Sequence, residues 1–101
     1  MEFSYMHKDK VTTKITVDYV KKTVSIINYT DDLLDRAFGK NTNPTFKDFE
    51  NLLESRCFPR TRQNLKWELE RYGLDSYNPL EIVLKTKGQL EGDYYSLVYN
   101  S

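Results

Sequence analysis

Arg56, Arg60, Arg62, Lys66 and Arg71 form the one concentrated run of cations in the chain, and three of the arginines fall inside Arg56-Cys57-Phe58-Pro59-Arg60-Thr61-Arg62. A guanidinium grips a carboxylate or phosphate through paired N–H donors, so this stretch points to binding an anion or an acidic partner. Helical spacing sets Arg62 and Lys66 on a shared face. Trp67 lies amid these cations, about 160° around the helix from Leu69 at roughly 100° per residue, so it faces another element or solvent rather than the stripe beside it. Tryptophan and arginine are enriched at interface hot spots. The plainer alternative is that the arginines pair with acids of neighbouring segments, and both readings stay open at this stage.

Other groups with chemical potential are sparse. Cys57 and His7 are the single cysteine and the single histidine, which removes any intrachain disulfide and leaves no Cys/His metal set. Cys57 beside arginines is either a thiol of lowered pKa or a small core residue next to Phe58. Asp31, Asp32, Asp35, Glu50 and Glu54 sit where helix starts and solvated faces place acids, and neither a histidine nor a glycine-rich loop accompanies them. The expectation is a protein that is not an enzyme and takes no cofactor or metal.

The 101 residues suit a single domain, 1–101, with flexibility left open for residues 1–10. At 39% hydrophobic and 30% charged residues the chain reads as globular, and its net charge of zero argues against a wholesale polyanion binder. The charge is nevertheless segregated: +2 over 1–29, −3 over 30–54, +3 over 55–72 and −2 over 73–101. The N-terminus lacks a signal layout and no apolar run reaches membrane-spanning length, so the expected location is the cytoplasm and no membrane is expected among its partners.

The elements that must position the basic run follow from periodicity. Val11, Thr13, Ile15, Val17 and Tyr19 alternate with polar residues, and the alternation resumes over 23–29 after Lys21-Lys22, which predicts a hairpin over 11–29. Thr30-Asp31-Asp32 ahead of Leu33-Leu34, with Gly39 behind, predicts a short helix. Thr45 and Asp48 form a capping-box pattern before Phe46, Phe49, Leu52 and Leu53, predicting a second helix over 46–56. Pro59 stops it. Thr61 reads as the N-cap of a third helix carrying Leu65, Leu69 and Tyr72 and ending at Gly73, and Asn78-Pro79-Leu80-Glu81 opens a fourth that runs to about Lys87. Tyr94 to Tyr99 predicts a last strand paired with the hairpin. Together these give an α+β domain: an N-terminal β-hairpin, four short helices and a C-terminal strand closing a small antiparallel sheet.

The helix, turn, helix layout of 46–72 is helix-turn-helix-like, yet Glu68 and Glu70 would repel a nucleic-acid backbone beside Gln63 and Asn64. Arg56 and Arg62 should differ in role. Arg56 ends a helix, where a cation is favoured and an acid such as Asp93 is a candidate partner, whereas Arg62 opens one, where local energetics do not reward it.

With those residues in view, Arg56, Pro59, Thr61, Arg62, Gly88, Asp93 and Tyr95 resemble a pattern in small bacterial proteins of mobile operons, and more distantly the small partner module encoded beside HipA-like toxin kinases. In that pattern an Arg-x-x-Pro-x-Ser-Arg turn precedes a helix and a Gly…Asp-x-Tyr-Trp ending. The likeness covers about residues 50–97; Ser96 stands at the tryptophan position and Leu90-Glu91-Gly92 departs from a serine-rich approach. It implies an accessory or regulatory part of a toxin-type system and no kinase activity of its own.

The functional expectation is a protein-interaction module of a toxin-antitoxin-like or mobile-element system, including a prophage. It would bind a protein partner through Arg56, Arg60, Arg62, Lys66, Trp67, Arg71, Asp93 and Tyr95. The alternatives are a phage-encoded inhibitor of a host defence nucleoprotein, anti-CRISPR-like, that uses its acidic 31–54 segment, and a small nucleic-acid-binding protein.

Overall fold

A computed structural model describes residues 1–61, 63–90 and 92–100. The framework is an antiparallel sheet of four strands, β1 (Glu2–His7), β2 (Lys10–Asp18), β3 (Thr23–Asn28) and β4 (Tyr95–Tyr99), in the order β3-β2-β1-β4. Three α-helices, α1 (Phe46–Ser55), α2 (Leu65–Arg71) and α3 (Pro79–Thr86), complete the elements among the described residues. The α+β class agrees with the sequence reading; the hairpin expected over 11–29 is present as β2 and β3, but it is not the N-terminal element, since β1 precedes it.

Period-two alternation selects the face of the sheet that is covered. Phe3, Ile15 and Leu97 are wholly buried, Tyr5 and Val17 nearly so, and they meet Phe49, Leu52 and Leu53 of α1 and Ile82 and Val83 of α3. The Phe3 and Phe49 rings lie 5.4 Å apart at the centre of this contact. The first ten residues hold an inner strand: Phe3 lies opposite Ile15 on one side and Tyr99 on the other. The last strand pairs with β1 rather than with the 11–29 hairpin. Burial of Phe3 and Tyr5 is what draws β1 between its neighbours.

The two hairpin turns lack the usual glycine signals. Lys8 (φ 59°) and Lys22 (φ 54°) take the left-handed conformation, and the Asp18 carboxylate accepts the N–H groups of Val20 and Lys21, both at 3.0 Å, building the second turn from a side chain.

The helix expected over 30–39 does not form; the segment is a chain of turns, so the helices number three among the described residues. Thr30 Oγ1 accepts the Asp32 N–H at 3.2 Å and Asp32 Oδ1 accepts that of Leu34 at 3.0 Å, local bonds that compete with a helical ladder. Leu33 and Leu34 are exposed, at 39% and 87%, and only Ala37 and Phe38 of this segment pack against the core, too few apolar contacts to reward a helix. The segment is instead pinned to the sheet by the Ala37 N–H on Thr13 Oγ1 at 3.1 Å.

Thr45 and Asn78 cap as expected. Asp48 N–H donates to Thr45 Oγ1 at 3.1 Å while Thr45 N–H donates to the Asp48 carboxylate at 2.9 Å, and these bonds hold that carboxyl below its usual pKa. Glu81 N–H reaches Asn78 Oδ1 at 3.3 Å, ahead of a proline in the first turn. Thr61 does not cap a helix: α2 begins four residues later, behind Asn64, which makes no side-chain cap bond. The apolar side chains that give this helix a face to bury start only at Leu65. Gly88 (φ 62°) lies where an added Cβ would come within 2.8 Å of Leu97 Cβ and N, so its lack of a side chain lets β4 pass over the end of α3.

Candidate functional site

The basic stretch separates into a buried clamp and an exposed face. Arg56 is the C-cap of α1 and is only 6% exposed. Its Nε–H donates to Gly88 O at 2.9 Å, Nη1 and Nη2 each donate to one Asp93 carboxylate oxygen at 3.0 Å, and Nη2 also donates to Tyr95 O at 2.9 Å. One guanidinium thus ties the end of α1 to the segment joining α3 and β4. The hydrogen bonds from Arg56, helped by the Tyr95 N–H at 2.6 Å, lower the Asp93 pKa against the opposing effect of burial. Arg56, Asp93 and the Tyr95 backbone, all nominated for partner binding, are brought together and engaged with one another.

Arg60 sits on the turn beyond α1, half exposed, with Nε 3.0 Å from Glu54 Oε1 and its guanidinium 4.3 Å from the Tyr77 ring centroid. Tyr77 in turn donates its hydroxyl to Phe58 O at 2.6 Å, holding the turn onto the linker after α2. Arg62, also nominated, lies outside the described residues. Cys57 is a core residue: its Sγ contacts Leu53 O at 3.1 Å, and burial pushes the thiol up to about 11, the reverse of an activated nucleophile.

Helix α2 carries the other nominated residues outward. Leu69 is buried and Leu65 and Tyr72 are packed against the core, which fixes the inner side of the helix. The opposite side therefore presents Lys66, Trp67, Glu70 and Arg71. Trp67 is 60% exposed, and the Arg71 guanidinium stands 5.7 Å from its ring and 5.9 Å from that of Tyr72. Gln63, Asn64, Lys66, Trp67 and Glu70 line a shallow depression on this side. A desolvating contact with the Trp67 ring would strengthen the cation–π attraction that exposure now weakens.

A second polar cluster escaped the sequence reading. Tyr95 donates its hydroxyl to Asp35 at 2.6 Å, His7 Nδ1 lies 3.6 Å from the same oxygen, and the His7 and Tyr95 rings stack with centroids 4.8 Å apart. The Tyr5 ring, two residues along β1 from His7, also stacks with Tyr95, centroids 5.5 Å apart. The Asp35 bond pushes the Tyr95 hydroxyl up to about 12, so it stays a donor throughout the physiological range. The signal was present as the alternation Phe3, Tyr5, His7, which places these residues on one face once 2–7 is read as a strand. The cluster fastens the turn segment of Asp35 to the sheet. Among the described residues no group of three or more His, Cys, Asp or Glu is placed to hold a metal ion. Nor, among them, is any helix long and apolar enough to cross a membrane.

No family model matches the chain, and neither a curated protein nor a solved structure does.

Proposed function

We propose that the chain is a non-catalytic interaction module that docks a protein partner through the outer side of α2. The observation that carries the reading is Trp67. A large aromatic is 60% exposed beside Arg71, on a helix whose inner side already supplies its contribution to the core. Packing of this domain does not account for a tryptophan there, and burial of such a residue against a partner is what makes an interface hot spot. The likeness of the Arg56 to Arg62 turn and the Gly88, Asp93 and Tyr95 ending to toxin-kinase partner modules supports placing the partner in a toxin-antitoxin-like or mobile-element system. Arg56 and Asp93 then serve by holding the scaffold that presents α2.

The acidic segment gives an inhibitor that imitates nucleic acid less support. Asp35 is engaged by Tyr95, Asp48 by the capping box and Glu54 by Arg60, which leaves no continuous row of free carboxylates through the segment.

The test is co-purification from the native host of the wild-type chain and of Trp67→Ala and Lys66→Ala/Arg71→Ala variants. A stoichiometric protein partner is expected with wild type and lost with both variants while their melting temperatures stay within a few degrees of wild type. Retention of that partner by both variants would remove the α2 face from consideration. If nucleic acid is recovered instead, with an affinity that falls steeply as salt rises, the face is a phosphate-binding one and the protein-partner reading is wrong.

A further inference from the structure

The two edges of the sheet are finished differently. Along the first half of β4 outward backbone groups are taken up from within the domain: Leu97 N–H donates to Lys87 O at 2.8 Å, Tyr95 N–H to Asp93 at 2.6 Å, and Tyr95 O accepts from Arg56 at 2.9 Å. Along β3 nothing comparable occurs. Tyr29 N–H bonds Thr12 O at 2.8 Å, and alternation along the register then turns the N–H and C=O groups of Ile27, Ser25 and Thr23 toward β2. The corresponding groups of Val24, Ile26 and Asn28 point away from the sheet, and among the described residues no backbone or side-chain bond reaches them.

Exposed edges are normally blunted by a charge, a proline or a bulge. Thr23-Val24-Ser25-Ile26-Ile27-Asn28-Tyr29 carries no charged residue and no proline, and its register with β2 is unbroken. Ile27 and Tyr29 are 57% and 52% exposed. The chemistry that satisfies such an edge is another β-strand.

The flanking charges select which one. Lys21 and Lys22 precede the neutral strand and Asp31 and Asp32 follow it, all exposed. A second copy laid antiparallel with its Ile26 facing Ile26 brings Val24 opposite the second copy's Asn28 and places the turn that carries Lys21 and Lys22 at the same end as the second copy's Asp31 and Asp32, twice by symmetry. Parallel pairing would bring the lysines of both copies together. The two-fold register is also one in which the free groups face each other, since Val24, Ile26 and Asn28 are the residues with outward donors and acceptors, and it opposes all three at once. We infer that β3 is a self-association edge through which two copies of this chain pair antiparallel about Ile26 to form one continuous sheet. The α2 face is not used in this contact, so the inference is independent of the function proposed above.

Sedimentation equilibrium of the full chain, with Lys21→Glu, Asp31→Lys and the double swap, tests it. Both positions are exposed, and Asp31 keeps only a 3.7 Å approach to Arg36, so the variants should fold as the wild type does. Wild type is expected to dimerise. Each single variant is expected to weaken the dimer by about tenfold, and the double swap to restore most of that loss, because the attraction is re-formed with its signs exchanged. Amide exchange supplies a second readout: the Val24, Ile26 and Asn28 amides should become protected as concentration rises, while that of Ile27 is protected at every concentration. A chain that stays monomeric into the millimolar range, open-ended aggregation in place of a dimer, or single variants that dimerise like wild type would each overturn the inference.

Discussion

Replacing Arg56 by alanine tests the clamp that ties the end of α1 to the segment joining α3 and β4. The substitution removes the bonds to Gly88 O and Tyr95 O and the bidentate pair with Asp93 in a single step. The Gly88 carbonyl lies at a buried residue, and an unpaired buried acceptor costs about 1–3 kcal/mol. Asp93 is about a third exposed at its side chain, so water can rehydrate its carboxylate and the ion pair itself is worth less than a fully buried one. Adding the space left by the side chain, the total should be about 3–4 kcal/mol, near the lower part of the range for breaking a buried pair. For a domain of this size that is a fall in melting temperature of about 15–25 °C. Thermal and urea unfolding followed by far-UV circular dichroism measure it. Arg56→Lys, which keeps the charge and loses the fork, should recover less than half of the loss. A cost below about 1 kcal/mol for Arg56→Ala would refute the reasoning, since it would mean that the buried carbonyls find water without the guanidinium.

Gly88→Ala should destabilise by more than about 2 kcal/mol, because a left-handed backbone and a 2.8 Å clash with Leu97 act together, whereas Gly73→Ala, with nothing within 4 Å of its added Cβ, should cost only about 1 kcal/mol for its backbone. Asp93 has a folded-state pKa below its unfolded value, so its contribution is fully present above the unfolded pKa and is lost as pH falls through the folded one. Acid titration of stability should therefore be shallower in Asp93→Asn than in wild type below about pH 4. Tyr95 has the opposite sign: its raised pKa favours the folded state below the unfolded value near 10 and loses that contribution as pH climbs toward 12. Tyr95→Phe should flatten the alkaline limb of the stability profile, measured by chemical denaturation across pH 9 to 12.

Local chemistry made much of this fold legible in the sequence. The Thr45/Asp48 box and Asn78-Pro79 carry their own hydrogen-bond partners within a few residues, and Ile15 and Val17 alternate with polar neighbours, so α1, α3 and the β2–β3 hairpin needed no distant information. Even the Arg56 to Asp93 bond was nameable, because a cation at a helix end seeks an acid and its electrostatic reward is set locally. What the tertiary structure decided were the competitions. Thr30 to Gly39 has a helix's opening residues, yet Leu33 and Leu34 find no surface to cover, so turns closed by Thr30 and Asp32 prevail. Residues 2–7 show only a brief alternation; they become an inner strand because Phe3 packs with Ile15 and Phe49, contacts between residues far apart in the sequence. The division of the arginines is of the same kind. Sequence places Arg56 and Arg60 in one basic run, but only folding brings the Gly88 and Tyr95 carbonyls to the first and the Tyr77 ring to the second. Burial depends on which surfaces meet, and that is a property of the whole chain.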